Sequence, residues 1–95
     1  MVGLFHHHRR RGRRNMRFFI YSGTNEQART LARMMDLARN EWTYVHSPEV
    51  LYGQRGGTIL LYGSWRELPE ERTARVSERA HTNMMAVLTV EDRGL

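Results

Sequence analysis

Four short apolar runs, separated by helix-forming segments, set the fold class. "RFFIYS" (17–22), "WTYVH" (42–46), "GTILLYGS" (57–64) and "MMAVLTVE" (84–91) each read as a strand. The first is continuously apolar and aromatic, the pattern of a strand buried on both faces. Strands that alternate with helices form a mainly parallel sheet joined by right-handed crossovers. The expected architecture is therefore β-α-β-α-β-α-β: an α/β fold with a small, open, mostly parallel four-stranded sheet, Rossmann-like or flavodoxin-like, in the strand order 2-1-3-4.

The connecting segments carry their own signals. Thr24 reads as the N-cap of the first helix, and Gln27, three residues on, completes a capping box. Ala28, Leu31, Ala32, Met35 and Ala38 share one helical face, which Met34 widens, while Glu26, Arg29, Arg33 and Asp36 fall outside it. In "SPEVLYG" Ser47 is a cap, Pro48 the first helical residue and Glu49 a first-turn acid, enough for one or two turns. That crossover is about ten residues, near the minimum for a parallel return. "LPEERTARVSERAHT" is a helix opened by Pro69. The predicted core is Phe19, Tyr21, Leu31, Met35, Val45, Ile59, Leu61, Val76, Ala80, Val87 and Leu88.

A chain of 95 residues has room for one domain with one modest core. No apolar run approaches membrane-spanning length. The order of charge and apolar residues at the start is the reverse of a secretory signal, so a cytoplasmic location is expected. The absence of cysteine excludes disulfides, thiolate catalysis and cysteine-ligated zinc. The net charge of +5 is unevenly placed. Arg9, Arg10, Arg11, Arg13 and Arg14 lie in a segment without acids, whereas the remainder balances 10 Arg against 10 Asp and Glu. Residues 1–15 thus read as a disordered basic arm and residues 16–95 as a single α/β domain. Met16 offers an alternative start, which makes the arm equally readable as an artefact of gene assignment. Every basic residue is Arg, a bias that fits a GC-rich genome.

Open parallel sheets bind ligands beyond the carboxyl ends of their strands. Those ends carry Ser22, Gly23, Thr24 and Asn25 after the first strand and His46 and Ser47 after the second. Gly63, Ser64, Trp65 and Arg66 follow the third strand, and Glu91, Asp92 and Arg93 the fourth. The crevice candidates are Ser22, Gly23, Thr24, Asn25, His46, Ser64 and Arg66. Turns of α/β folds are polar in any case, because they cap helices. "YSGTNEQ" has one glycine and no lysine follows it, so it is neither a P-loop nor a dinucleotide fingerprint. A helix N-terminus can hold an anion weakly, but Thr24 and Gln27 already satisfy some of its donors. "YGQRGG" precedes the third strand and reads as a turn at the opposite end of the sheet. Neither a metal site nor a cofactor is indicated: the "HHH" run has no rigid geometry, and Glu91 and Asp92 are adjacent in sequence. Trp65 beside Arg66 reads equally as a base-stacking pair and as a cover for the core edge. Arg72, Arg75 and Arg79 form a stripe on the last helix, with Glu71 and Glu78 placed to pair with Arg75.

The absence of lysine and the stretch "RGGTILLYGSW" resemble small α/β proteins of unknown function encoded by actinobacterial phages. With "HSPEVLYG" before it, the same stretch resembles a fragment of a RecA-like helicase or terminase core, over roughly residues 17–66. That family carries acidic metal ligands near the end of the equivalent strand and a lysine-bearing P-loop upstream. This chain has Gly63-Ser64-Trp65 at the strand end and no P-loop, so ATP hydrolysis does not carry over.

Two functions follow as expectations. The first is a non-enzymatic binding module that engages nucleic acid weakly and without sequence preference through Arg9, Arg10, Arg11, Arg13, Arg14 and Arg17, or else a host protein. Arg72, Arg75 and Arg79 are a second anion-facing group. The alternative is a small nucleotide-binding protein or enzyme built on the turn after the first strand, with His46 and Ser64. Convergence of those side chains on a concave site separates the two.

Overall fold

The computed structural model describes residues 17–91. The arm, its five arginines, Met16, Asp92 and Arg93 lie outside the described residues. The elements are β1 (Phe18–Ser22), α1 (Asn25–Met34), β2 (Trp42–Tyr44), β3 (Thr58–Tyr62), α2 (Glu70–Thr82) and β4 (Ala86–Thr89). 3₁₀ turns at Arg39–Glu41, Pro48–Leu51 and Trp65–Glu67 fill the connections. The sheet has the order β2-β1-β3-β4, and every pairing is parallel. The α/β class, the parallel sheet and the expected strand order are all present, but the helix expected between the second and third strands is only the 3₁₀ turn Pro48–Leu51, too short a segment for an α-helix.

The side-chain alternation of the central strands divides the core into two layers. Phe19, Tyr21, Val45, Ile59 and Leu61 point to the face covered by the Pro48–Leu51 turn and α2, where Leu51, Val76, Ala80 and Met85 complete the layer. Ile20, Leu60 and Tyr62 point to the opposite face and meet Ala28, Leu31 and Ala32 of α1. β1 and β3 therefore carry successive apolar residues, Phe18–Tyr21 and Ile59–Tyr62, because each strand is covered on both faces. Tyr21 is fully buried, and its hydroxyl is satisfied at 2.8 Å by Thr73 Oγ1 on α2.

Both helices end in the same way. Asp36 follows α1 with φ 58°, Leu37 N donates to Ala32 O and Asp36 N to Arg33 O. Met84 follows α2 with φ 58°, Met85 N donates to Ala80 O and Met84 N to His81 O. These are Schellman closures with a non-glycine residue in the left-handed position. They turn the next residue, Leu37 or Met85, into the core.

Three expected core assignments, and one assignment to the face of α1, need correction. The closure at Asp36 removes Ala38 from the helical face, so it is exposed. Met35 caps α1 and is only half-buried. Val87 and Leu88 are 41% and 55% exposed. They lie on β4, a sheet edge; Leu88 is on the same face as α1, but α1 packs on β1, β2 and β3 and leaves it largely uncovered.

Candidate functional site

β1 returns to β2 on one side and β3 lies on its other side, so the crevice of this sheet opens between β1 and β3. A side chain of the chain itself fills it. Thr24 takes an extended conformation and its hydroxyl accepts from Gln27 N at 3.1 Å, which starts α1 at Asn25. That start places Gln27 in the first turn, beside the exit of β3. Its Oε1 accepts from Gly23 N at 3.0 Å, from Ser64 N at 3.1 Å and from Ser64 Oγ at 3.2 Å. The expected capping box is thus half formed: the return bond goes to Gly23 N, not to Thr24 N. One amide oxygen ties the turn after β1 to the turn after β3.

The glycines fit this closure. A Cβ on Gly23 would collide with Ser64 Oγ, and one on Gly63, where φ is +67°, with Gln27 Oε1. The room they provide is taken by Gln27 and Ser64. Ser22 is 1% exposed and donates from its hydroxyl to Thr24 O at 2.7 Å, inside its own turn. Thr24 is a cap and Asn25 is exposed. His46 is exposed beyond β2, with its ring 6.3 Å from that of Tyr44 and no hydrogen bond to the Gln27 cluster. Arg66 lies 4.6 Å over the ring of Trp65 and pairs with Glu91 at 3.6 Å. Trp65 itself packs partly buried against the α2-side core, so it covers the core edge. The crevice candidates therefore divide: Gly23, Thr24 and Ser64 gather around Gln27, while His46 and Arg66 stand apart. Among the described residues no three His, Asp or Glu side chains come together as a metal site.

An open concavity lies elsewhere, between α2 and the Pro48–Leu51 turn. A depression of about 220 Å³ is lined by Pro48, Tyr52, Arg75, Glu78, Arg79 and Thr82. A second, of about 370 Å³, shares Pro48 and Arg75 and adds Pro69, Glu71 and Arg72. The predicted arginine stripe thus forms the wall of a groove. Arg79 stacks 4.7 Å over the ring of Tyr52, which is 56% exposed. Arg75 pairs with Glu71 at 3.6 Å across one helical turn, the spacing expected for that pair; Glu78 forms no ion pair with it. Arg72 forms no ion pair with a described residue. Gln27 and Tyr52 are the residues that pattern reading missed. By spacing alone Gln27 reads as the capping partner of Thr24, and nothing local to Tyr52 places it beside Arg79.

Fold and groove together define an open, all-parallel α/β module with its switch-point crevice closed from within and an arginine-lined groove on one face. No protein-family model, curated protein or solved structure matches the chain.

Proposed function

We propose that this chain is a small non-enzymatic binding module that holds nucleic acid by its phosphates, weakly and without reading sequence. The observation that carries this reading is the contrast between the two concave regions. The crevice where an α/β enzyme would seat its substrate is occupied by Gln27. The groove along α2 presents Arg72, Arg75 and Arg79 with an exposed aromatic ring beside them. Guanidinium groups recognise phosphate through planar donors, and an aromatic face adds stacking to single strands. Glu71 and Glu78 partly offset the groove's charge. The main share of affinity therefore falls to Arg9, Arg10, Arg11, Arg13, Arg14 and Arg17, whose segment contains no acid. Such binding works through release of condensed counterions and carries no sequence information.

The test compares the full chain with a chain beginning at Met16 and with the Arg72→Ala/Arg75→Ala/Arg79→Ala variant. Each is titrated against labelled duplex and single-stranded DNA at several salt concentrations. Six complete duplex contacts would give a log–log salt slope of about −5, and the arm should give less. The shortened chain should keep its fold and lose most of the affinity. Equal binding by the full and shortened chains would transfer the role to the α2 groove. No binding by either at low salt would end the nucleic-acid reading in favour of a protein partner.

A further inference from the structure

No described residue covers the outer edge of strand β4. Its four residues, Ala86-Val87-Leu88-Thr89, are all exposed and include no charge and no proline. Natural sheet edges are normally guarded by charge, proline, a bulge or a covering element. The backbone polarity of this edge follows from the hydrogen bonds on its inner side. Ala86 N donates to Gly57 O and Val90 N to Leu61 O, in register with Thr58↔Ala86 and Leu60↔Leu88. Ala86, Leu88 and Val90 therefore spend their backbone groups on β3. By strand alternation, Val87 and Thr89 aim both N–H and C=O outward, where no described residue meets them.

We infer that β4 pairs with β4 of a second copy of this chain, antiparallel about a two-fold axis at Leu88, to give one continuous sheet. A strand edge can be self-complementary only if its outward groups match under that rotation, and here they do. Val87 of one copy lies opposite Thr89 of the other, so each outward N–H meets an outward C=O. Centring on Val87 instead would oppose Thr89 to Met85, whose N–H is already given to Ala80 O. The Leu88 register leaves no such conflict. It sets the two Leu88 side chains directly opposite each other on the α1 face and brings Ala86 of each copy opposite Val90 of the other. Leu88 is 55% exposed in the single chain, so the pairing covers apolar surface that no described element covers. Charge does not oppose it. The strand is neutral, and the flanking Glu91 brings Arg66 at 3.6 Å as its own counter-ion. The interface is a strand pair rather than a large buried face, which makes the dimer weak and concentration-dependent. This inference is independent of the nucleic-acid reading.

The absence of cysteine makes a direct test possible. Residues in a non-hydrogen-bonded antiparallel pair have Cα atoms about 4.5 Å apart, within reach of a disulfide. Full-length Leu88→Cys should form a covalent dimer under mild oxidation. Val87→Cys and Thr89→Cys should do so efficiently only when mixed with each other. Sedimentation equilibrium should show the unmodified chain as a concentration-dependent dimer. Thr89→Pro removes one outward N–H and no bond to β3; it should keep the circular dichroism spectrum and be monomeric. Leu88→Arg, which opposes like charges, should also be monomeric. An unmodified chain that stays monomeric at about 1 mM, where a millimolar Kd is already visible, overturns the inference. So does a dimer that survives both substitutions, or one that Val87→Cys or Thr89→Cys alone locks as well as Leu88→Cys does.

Discussion

Replacing Gln27 by alanine removes the one side-chain acceptor that joins the turns after β1 and β3. Two of the three lost bonds leave half-buried backbone donors, Gly23 N and Ser64 N, whereas the Ser64 hydroxyl can rotate toward water. A net hydrogen bond is worth about 0.5–1.5 kcal/mol, so the two backbone donors together amount to about 1–3 kcal/mol. The better helix propensity of alanine returns only a few tenths of a kcal/mol. The expected loss is about 2 kcal/mol, which for a domain of this size lowers the thermal midpoint by about 8–16 °C. Urea unfolding followed by circular dichroism measures it, with an unchanged denaturant slope as the sign that the denatured state is unaffected. Gln27→Glu is the matching control, because a carboxylate keeps the geometry and accepts more strongly, next to a helix N-terminus. Hydrogen bonds to its charged form lower its pKa in the folded state relative to the unfolded chain. A lowered folded pKa gives stability that is present above the ordinary glutamate value of about 4.3 and is lost as pH falls through the folded value. Gln27→Glu should therefore equal or exceed the unsubstituted chain at pH 7 and lose that advantage in acid. A loss below about 0.5 kcal/mol for Gln27→Ala, or a Gln27→Glu chain as weak as Gln27→Ala at pH 7, would refute the account.

Leu31 is 1% exposed in the layer between α1 and the sheet, and Leu31→Ala should cost about 2–5 kcal/mol in the same unfolding assay. Gly63→Ala should destabilise the chain through both its left-handed backbone and the collision with Gln27 Oε1. In the background of Gln27→Ala the second part vanishes, so a double-mutant cycle should show a favourable coupling between the two substitutions, and strict additivity would count against the contact. Nucleotide hydrolysis should stay at background, since the chain lacks the lysine and glycine spacing that phosphate chemistry uses. Turnover that Thr24→Ala abolishes would contradict this.

The topology was legible because its signals are redundant. Continuous apolar runs, the Thr24 cap and the Pro48 and Pro69 helix starts all specify parallel strands with crossovers, and they agree with one another. The misreadings have two causes. A helix closed at Asp36 or Met84 uses a left-handed residue without the glycine that would announce it, so the apolar spacing runs on to Ala38 although α1 does not. Val87 and Leu88 have the composition of a buried strand; the expected order already put β4 at the edge, but composition alone does not show that α1 packs on β1, β2 and β3 and leaves that edge exposed. At the candidate site, sequence spacing placed the turns correctly but could not show that Gln27 reaches across to Ser64, because that contact joins segments far apart in the chain. The groove has the same origin: Tyr52 meets Arg79 only after the sheet has brought the Pro48–Leu51 turn beneath α2.

The all-parallel pairing also sets the order in which the chain can mature. β1 precedes the other described strands in the chain, yet Phe18 lies opposite Trp42 on one side and Thr58 on the other. It has no hairpin partner, so its backbone must wait until two later segments arrive. Closing such long loops before any contact rewards them slows folding. Meanwhile "FFIYS", one of the most apolar stretches of the protein, stays uncovered on the nascent chain. During that interval the chain is at its most vulnerable to association with the wrong partner, and the amphipathic α1, which can form locally, is the element best placed to shield it.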